Sequence, residues 1–563
     1  AYAPAFEHFA YNDPKAIKGG SLRLGGLGSF DSLNPFIAKG NVADNIGLIY
    51  DTLTVASADE PFTRYGLVAK TMIWPDERNW IEFILHPQAK FHDGKAITAA
   101  DVKFSYETLI EHGNPMYKTI FAGVSKVEVL NEKHIRFEFI NGDNQELALV
   151  IGDIPLLPQH YWQQHDFTET SMQIPLGSGP YKIKKAIAGK TIEYSRVDNY
   201  WAKDLPVNKG HYNFDIIRYD YYRDSTVLLE ALKAGQIDFR LEYSSKEWAT
   251  AYDSPAIHSG KLIKREAPHH NPAGMQGFVL NLRNPLFQDI RVRKALALAF
   301  DFEWLNNNLF YQAYTRSNSF FTNSELAATG LPSAEELTLL TPLKDQLPTE
   351  VFTHAPYLPK TQGKGRNRAQ LIAAKKLLEE AGWQVKDNVL THKDGQIFKF
   401  EFLLFQSSFE RIINPYIKSL SLLGIQANLR NVEISQYINR LRSYDFDIVT
   451  SSIGQSLSPG AEQIQYWHSS SADTAAGRNL AGIKNPAIDS LVEALVNAKD
   501  RESLVTATRA LDRALLHHWY VIPQWHISSH RIAYWDKFEQ PKVAPKYDIR
   551  FYTNLFSWWA KAP

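Results

Sequence analysis

Apolar and polar residues alternate along parts of the chain in a way that predicts strands. Ile135, Phe137 and Phe139 are separated by charged residues, and residues 398–402 repeat this pattern with three phenylalanines. A period of two residues is typical of a half-buried strand. Because these segments alternate with segments of helical periodicity, the sequence indicates an α/β fold.

Two predicted helices carry signals at their ends. Thr98, followed three residues later by Asp101, resembles a capping box, and Gly113 is placed to end that helix. A second helix is predicted from about Arg368 to Ala381, since its apolar residues fall on one face. Gly382 is expected to stop it.

Length and charge limit the possible functions. With 563 residues the chain is too long for one core, so two to four domains are expected. Lys+Arg and Asp+Glu are both 61, which argues against nucleic acid as the main partner because phosphate binding needs excess positive charge. No apolar run approaches the length of about 18 residues that a membrane-spanning helix needs.

The start of the chain and the absence of cysteine bear on its compartment. The sequence begins at Ala1 without an initiator methionine, which we interpret as export followed by removal of a signal peptide, with a trimmed chain as the alternative. There is no cysteine, so disulfides, thiolate metal sites and cysteine nucleophiles are excluded. A cysteine-free chain favours an oxidising compartment.

Three glycine-containing segments imitate catalytic motifs without matching them. Residues 25–28 lack the third glycine of a dinucleotide fingerprint, and we predict a turn there. Residues 189–191 lack the upstream glycine of a phosphate loop. Ser178 lies between two glycines, but the spacing of a nucleophile elbow is absent.

Metal and acid/base chemistry also lack a sequence signal. The histidine pairs 269–270 and 517–518 are adjacent residues, which point in different directions, so neither pair forms a metal-binding face. No pair of carboxylates is recognisable, although glycosidase carboxylates can lie far apart in a chain. We expect no metal, no cofactor and no catalytic residue.

Six separated segments, in order along nearly the whole chain, share a resemblance to one family: residues 89–105, 176–201, 228–239, 278–296, 377–383 and 423–448. They resemble the family 5 extracellular solute-binding proteins, whose members bind dipeptides, oligopeptides or nickel complexes. Further detail at residues 293–315, 455–460 and 525–538 looks like the YejA-type branch, which is associated with uptake of peptides and peptide-like antibiotics.

This resemblance implies an α/β, two-lobed periplasmic binding protein fold with a hinge and an additional α/β domain. Lobe one would comprise residues 1–50, 176–273 and 515–563, the additional domain residues 51–175, and lobe two residues 274–514. The ligand would lie between the lobes, which close around it. The expected protein is a periplasmic monomer that is not an enzyme and delivers ligand to the permease subunits of an ABC importer.

Peptide-binding relatives hold an extended ligand through two short backbone strips, a form of strand addition. The matching strips here are Lys39-Gly40-Asn41 and Ser452-Ile453-Gly454-Gln455. Gly40 and Gly454 suit close approach of a second backbone because they lack a Cβ atom. A simple turn is the alternative explanation for each glycine.

The anchors of the ligand's termini depart from the family pattern. Relatives place an aspartate for the ligand's ammonium where this chain has Ser456, so Glu462 is the candidate counter-charge, with a solvated surface residue as the alternative. Dipeptide binders hold the carboxylate with an arginine near the position of Ser407, and Arg411 and Arg478 are possible replacements.

Four aromatic and polar residues complete the predicted site. Tyr466 and Trp467 are candidate pocket walls, or alternatively part of the core of lobe two. Gln276 and Phe278 align with a segment that touches ligand in relatives, although Phe278 also fits a strand core.

Other functions remain open at this point. The solute could be an opine, a nickel complex or a sugar oligomer, and a periplasmic hydrolase or a chaperone-like or adhesive protein are further alternatives. We also predict an exposed basic loop, which has no role in these functions. It is the Pro- and Gly-containing segment 358–365 with the cations around it, Lys360, Lys364, Arg366 and Arg368.

Overall fold

The computed structural model describes residues 2–140, 147–365, 367–405 and 407–562. The chain divides into two compact units. The first unit contains Ala1–Tyr243, Thr250–His269 and Ser529–Pro563, and the second contains Ser244–Ala249 and His270–Ser528. The chain therefore crosses between the units several times.

Strands occur along the whole described chain. They are β1 Ser21–Leu27, β2 Thr54–Ala56, β3 Arg64–Gly66, β4 Ala69–Ile73, β5 Trp80–Leu85, β6 Val124–Asn131, β7 His134–Phe139, β8 Tyr181–Ile187, β9 Thr191–Arg196, β10 Ile216–Tyr222, β11 Phe239–Leu241, β12 Leu262–Pro268, β13 Met275–Leu280, β14 Thr315–Arg316, β15 Trp383–Lys386, β16 Val389–His392, β17 Lys399–Leu404, β18 Gln426–Asn431, β19 Ile448–Ile453, β20 Val521–Pro523, β21 Trp525–His526, β22 Ser529–Trp535, β23 Phe538–Glu539 and β24 Trp559–Ala560.

Helices lie between these strands. They are α1 Ala99–His112, α2 Met116–Ile120, α3 Leu147–Ile151, α4 Gln159–Trp162, α5 Ser225–Lys233, α6 Ser245–Thr250, α7 Pro255–His258, α8 Ile290–Ala299, α9 Phe302–Asn308, α10 Ala334–Leu340, α11 Glu350–Thr353, α12 Arg368–Glu380, α13 Glu410–Ser421, α14 Ile434–Arg442, α15 Glu462–Trp467, α16 Pro486–Val496, α17 Arg501–His518 and α18 Tyr552–Ser557. Short 3-10 helices span Ile46–Ile49, Pro285–Phe287, Thr341–Gln346, Ser407–Phe409 and Ser469–Ser471. In the described ranges no helix is long and apolar enough to cross a membrane.

The first unit is built on three sheets of three or four strands. Their strand orders are β1-β10-β9-β8, β11-β22-β12 and β4-β5-β7-β6. Strands β1 and β10 are parallel, and β22 from the end of the chain lies between β11 and β12, pairing antiparallel with both. The C-terminal segment is thereby part of the first unit.

The second unit is organised around a five-stranded sheet of order β18-β17-β19-β13-β20. Phe278 and Phe402 belong to a core on one face of this sheet, together with apolar residues of α8, α12 and α13. Val279 and Ile453 belong to the core on the other face, with residues of α16 and α17. Because helices cover both faces, the strands are apolar on both sides.

The elements predicted from periodicity are confirmed. Strand β7 covers the first alternating segment, and β17 covers the second from Lys399, one residue after its first phenylalanine. Helix α12 ends one residue before the predicted last residue, Ala381. Thr98 Oγ1 accepts a hydrogen bond from the Asp101 N–H at 3.3 Å, and Asp101 Oδ2 accepts one from the Thr98 N–H at 2.9 Å. This reciprocal pair is the predicted capping box.

The turn predicted at residues 25–28 is wrong for its first two glycines. Gly25 and Gly26 lie inside β1. A Cβ atom at Gly25 would lie 2.1 Å from Cδ1 of Leu228 in α5, so this glycine permits a helix to pack closely on the strand. Only Gly28, with φ of +82°, has the conformation of a turn.

The two compact units are coarser than the predicted domain division. The first unit contains most of the segments assigned to lobe one and also residues 51–175, whose separation as an additional domain stays a prediction. The predicted boundary at residue 515 falls inside α17, a helix that belongs wholly to the second unit. The chain returns to the first unit at Ser529, where β22 begins.

Candidate functional site

Strand β19 of the second unit has an edge that is only partly paired. Antiparallel pairing with β13 extends from Ile448 to Ile453, whereas parallel pairing with β17 covers only Ile448 and Val449. From Thr450 onward, no described strand pairs with the β17 side of β19. Beyond Val449 that side of β19 therefore lacks a strand partner, and an additional strand could pair there.

A cavity of about 360 Å³ opens beside the end of β19. It is lined by residues of β19, α15 and the segment 477–481, with a few others from the core and α14. Five residues of the predicted site are among them: Ser452, Ile453, Tyr466, Trp467 and Arg478. Ligands of open α/β sheets bind at the carboxyl ends of strands, and β19 ends at this cavity.

Arg478 and Tyr466 form the polar part of the cavity wall. Arg478 Nη1 donates a hydrogen bond to the Tyr466 hydroxyl at 3.3 Å, and the guanidinium carbon lies 5.7 Å from the centroid of the Tyr466 ring. Arg478 is exposed, and no carboxylate of the described chain forms an ion pair with it. A guanidinium held in this way can donate hydrogen bonds to the carboxylate of a ligand.

Trp467 and Phe278 both belong to the core, and Trp467 also lines the cavity. Trp467 is 2% exposed, and its indole N–H donates to Gln463 Oε1 at 2.9 Å. Phe278 is fully buried and packs against Phe402 and Tyr416. The side chain of Phe278 therefore has no exposed surface, and its contact with a ligand stays a prediction that this burial does not favour.

Glu462 does not line the cavity. Both of its carboxylate oxygens accept the backbone N–H of Gly460 at 3.0 Å, and Oε1 also accepts from Gln463 Nε2 at 2.9 Å. The carboxylate thus closes the turn that precedes α15. Its predicted role as a counter-charge for an ammonium group stays a prediction.

Gln463 is a buried residue that sequence reasoning missed. It is fully buried, and its amide exchanges hydrogen bonds with the side chain of Gln455, at 2.7 Å in one direction and 3.5 Å in the other. Through Gln463 the second strip is joined to α15 and to Trp467. A buried amide with several partners rigidifies its surroundings, but its sequence neighbours give no signal of that role.

Gln276 and Ser452 are cross-strand neighbours on β13 and β19. Gln276 Nε2 donates to Gln524 Oε1 at 2.8 Å, and Ser452 Oγ lies 3.5 Å from Gln276 Oε1. Ser456 lies beyond the strand, where its hydroxyl accepts the backbone N–H of Ser458 at 3.1 Å. Arg411 is exposed in the first turn of α13 and does not line the cavity.

The two glycines of the predicted strips differ. Gly40 has φ of +78°, and a Cβ atom there would lie 2.7 Å from Thr170 Cγ2, so the first unit itself requires this glycine. Gly454 has no such requirement, because a Cβ atom would meet nothing within 4 Å. In the first strip Lys39 and Gly40 are exposed, and the Asn41 carbonyl accepts from the N–H groups of Asp31 and Ser32.

Metal ligands are not clustered near these residues. Across the described ranges, no group of three or more His, Cys, Asp or Glu side chains is arranged to hold a metal ion. The site consists of a strand edge, a cavity and one arginine without an acidic partner. These are features of a binding surface.

Comparison with known families decides the family of this chain. The sequence model of the family described as "Bacterial extracellular solute-binding proteins, family 5 Middle" matches residues 65–475 of this chain. The chain belongs to this family. Membership of the family 5 solute-binding proteins confirms the resemblance inferred from the six sequence segments.

Two relatives and one solved structure place the chain within family 5. It is 42% identical over 565 residues to the probable peptide-binding protein YejA of Agrobacterium fabrum, covering 99% of this chain and 91% of the relative. It is 37% identical over 557 residues to the peptidoglycan-binding protein YepA of that organism, covering 96% and 91%. The oligopeptide-binding protein AppA of Bacillus subtilis, in complex with a nonapeptide, gives a TM-score of 0.66 at 21% identity, covering 97% of this chain and 100% of AppA. The likeness to AppA confirms the α/β fold class of the family 5 binding proteins.

Proposed function

We propose that this family 5 protein is the peptide-capturing component of a bacterial ABC importer. The observation that carries the proposal is the unpaired edge of β19 leading to a cavity that contains Arg478. The names of its relatives support the same function, since one is a probable peptide-binding protein and another a peptidoglycan-binding protein. We propose likewise that the protein is a periplasmic monomer that delivers its peptide to membrane permease subunits.

An extended peptide would join β19 as an additional strand. Its backbone would pair with Thr450 to Ile453 on the side that β17 leaves open. Gly454 would let the peptide backbone continue past the strand end, because no side chain occupies that space. Pairing through backbone groups is indifferent to side chains, so the protein would accept many sequences. We keep Lys39-Gly40-Asn41 as the proposed second strip.

The cavity would take one acidic group of the ligand. Arg478 offers a planar set of donors that matches a carboxylate, and the Tyr466 ring supports the guanidinium. The carboxylate could be the C-terminus of the peptide or an acidic side chain. The apolar part of the wall, which includes Leu441 and Leu480, would contact the aliphatic atoms of the same residue.

A peptide derived from peptidoglycan is the second candidate ligand. Such peptides carry free carboxylates, and Arg478 without an acidic partner favours an anionic ligand over a neutral one. The relative that is 37% identical is a peptidoglycan-binding protein. Nickel complexes and sugar oligomers lack an observation of this kind in the described part of the chain.

Mass spectrometry of ligand carried through purification tests the function. We expect peptides of several sequences, enriched in acidic groups, to be released when the protein is denatured. Titration calorimetry with a synthetic peptide from that set, before and after C-terminal amidation, then measures the contribution of the carboxylate. Release of only sugars or metal complexes, with no heat from any peptide, would refute peptide capture. Incubation of the peptide with the protein should return it uncleaved, and cleaved products would indicate a hydrolase.

A further inference from the structure

A groove on the second unit lies away from the proposed ligand site. It has a volume of about 940 Å³ and lies between α12 and α13, with α9 at one end. Its floor includes Phe300 and Tyr416, which belong to the core on one face of the five-stranded sheet. The ligand cavity includes Val279 and Val521, which belong to the core on the opposite face. The groove is therefore separate from the ligand site.

The apolar lining of this groove is unusually exposed. Ile372 of α12 is 59% exposed, and Leu422, directly after α13, is 71% exposed. Trp304 and Leu371 line the groove between them and are half-buried. A row of large apolar side chains at the rim of a groove is a feature of surfaces that bind another protein.

The cations around the groove have few acidic partners. Lys364, Arg368, Lys375 and Lys418 line it. Lys375 lies 3.8 Å from Glu379 on the exposed side of the same helix, and none of the other three forms an ion pair within the described ranges. The one carboxylate in the lining, Asp301, accepts hydrogen bonds from Thr361 Oγ1 and from the Trp304 N–H.

One of these cations lies where a helix disfavours it, and a second lies in the loop before the same helix. Arg368 is the first residue of α12, and Lys364 precedes the helix by four residues. The first turn of α12 contains no acidic residue, and the cap residue Asn367 makes no side-chain cap. Positive side chains at a helix N-terminus add to the positive end of the helix dipole, so this arrangement does not serve the stability of α12. It does create positive potential beside an apolar surface.

The spacing along the two helices repeats one pattern. On α12, Arg368 and Lys375 are seven residues apart, with Leu371 and Ile372 between them. One face of the helix therefore carries a cation, two apolar residues and a second cation in order along its axis. After α13, Leu422 follows Lys418 by four residues and lies on the same face. A partner that matches both stripes has apolar residues at its centre and carboxylates on its flanks.

We propose that this groove docks an acidic amphipathic helix of a partner protein. A groove between two helices receives a third helix, with apolar anchors on the floor and carboxylates against the cations at the rim. Helix α12 has 13 residues, so its length of about 20 Å matches a partner segment of about 14 residues. A membrane surface fits less well because the apolar lining is concave. Docking of such a helix does not depend on which solute the protein carries.

The absence of cysteine permits a local test on the full chain. Ile372→Cys places one environment-sensitive fluorophore in the groove, and Ala373→Cys places the same fluorophore about 100° further round α12, where Ala373 is exposed and does not line the groove. The probe is a synthetic amphipathic helix of about 14 residues with leucines on one face and glutamates on its flanks. We expect a saturable blue shift from the label at position 372 and none from the label at position 373.

Charge reversal separates specific docking from general attraction. Combined Lys364→Glu, Arg368→Glu and Lys418→Glu should weaken binding of the acidic helix by about tenfold or more. Lys499→Glu, at an exposed residue of the second unit that does not line the groove, should leave binding unchanged. Leu422→Ser should weaken binding without changing charge, and melting curves check that each variant folds. Equal binding of a version with lysines for glutamates, an equal response at position 373, or no saturation at millimolar peptide would overturn the proposal. An equal response to phosphatidylglycerol vesicles would overturn it too, because it would identify a lipid surface.

Discussion

The hydroxyl of Tyr200 lies 2.6 Å from Oδ1 of Asp51, and both residues are buried in the first unit. Trp201 donates its indole N–H to Asp51 Oδ2 at 2.8 Å. No cation of the described chain pairs with this carboxylate. Burial raises the pKa of Asp51 from 3.8 to about 7, although its hydrogen bonds act in the opposite direction.

This raised pKa predicts a pH dependence of stability. Between pH 4 and 7 the folded protein keeps the proton of Asp51 while the unfolded chain releases it, so the free energy of unfolding falls as pH rises through this window. Asp51→Asn removes the ionisation. The free energy of unfolding of the variant, relative to that of the wild type, should therefore rise by on the order of 4 kcal/mol between pH 4 and 7. Urea unfolding at several pH values measures the difference between the two proteins. Parallel profiles of stability against pH for the two proteins would contradict this prediction. Asp198→Asn, at an exposed residue, is the control for the lost charge.

Arg478 should set the preference for acidic ligands. Arg478→Ala removes a charge-assisted hydrogen bond worth about 1.5–3 kcal/mol, so a peptide with a free carboxylate should bind at least about tenfold more weakly. The amidated, neutral version of that peptide should change little. Arg411→Ala is the matched control, since Arg411 is also exposed in the second unit but does not line the cavity. Titration calorimetry of both peptides against the three proteins measures the effect, and equal losses for the two peptides would remove Arg478 from carboxylate binding.

Glu462 should act on the turn before α15 more than on the ligand. Glu462→Gln loses the charged acceptor of the Gly460 N–H, which should cost about 0.5–2 kcal/mol of stability. A peptide with a free N-terminus and the same peptide acetylated should then lose affinity alike. Calorimetry of both peptides with both proteins completes a double-mutant cycle. If only the free amine is affected, Glu462 is the counter-charge that the sequence suggested.

The local parts of the fold could be predicted because their signals lie within a few residues. The capping box of α1 is formed by Thr98 and Asp101, three positions apart. The site depends instead on which strand edge is left open, and neither periodicity nor motif reports where β17 stops pairing with β19. Ser452 and Arg478 could be named from the resemblance to the family. Buried Gln463 could not, because its sequence neighbours give no signal of its role. Chain neighbours also do not show why a glycine is present, as Gly25 in β1 illustrates.

Phe278 should matter for stability and not for binding. Its ring is fully buried among Phe300, Phe402 and Tyr416, so Phe278→Ala leaves a cavity and should cost about 3–5 kcal/mol. Because no part of the ring is exposed, the peptide affinity of the folded fraction should be unchanged. Denaturant unfolding and calorimetry at low temperature measure the two quantities. A large loss of affinity at unchanged stability would return Phe278 to the ligand site.

The two glycines of the predicted strips give a contrast that tests strand addition directly. Gly454→Val places a side chain where the protein leaves open space, so stability should change by no more than about 0.5 kcal/mol. The same side chain would stand in the path of a peptide paired with β19, and peptide affinity should fall strongly. Gly40→Val has the opposite expectation for stability, because a positive φ and the contact with Thr170 should cost about 1–3 kcal/mol. Melting curves and peptide titrations of both variants decide the matter: a Gly454→Val protein that folds normally and binds peptide as well as the wild type would exclude a ligand backbone from the end of β19.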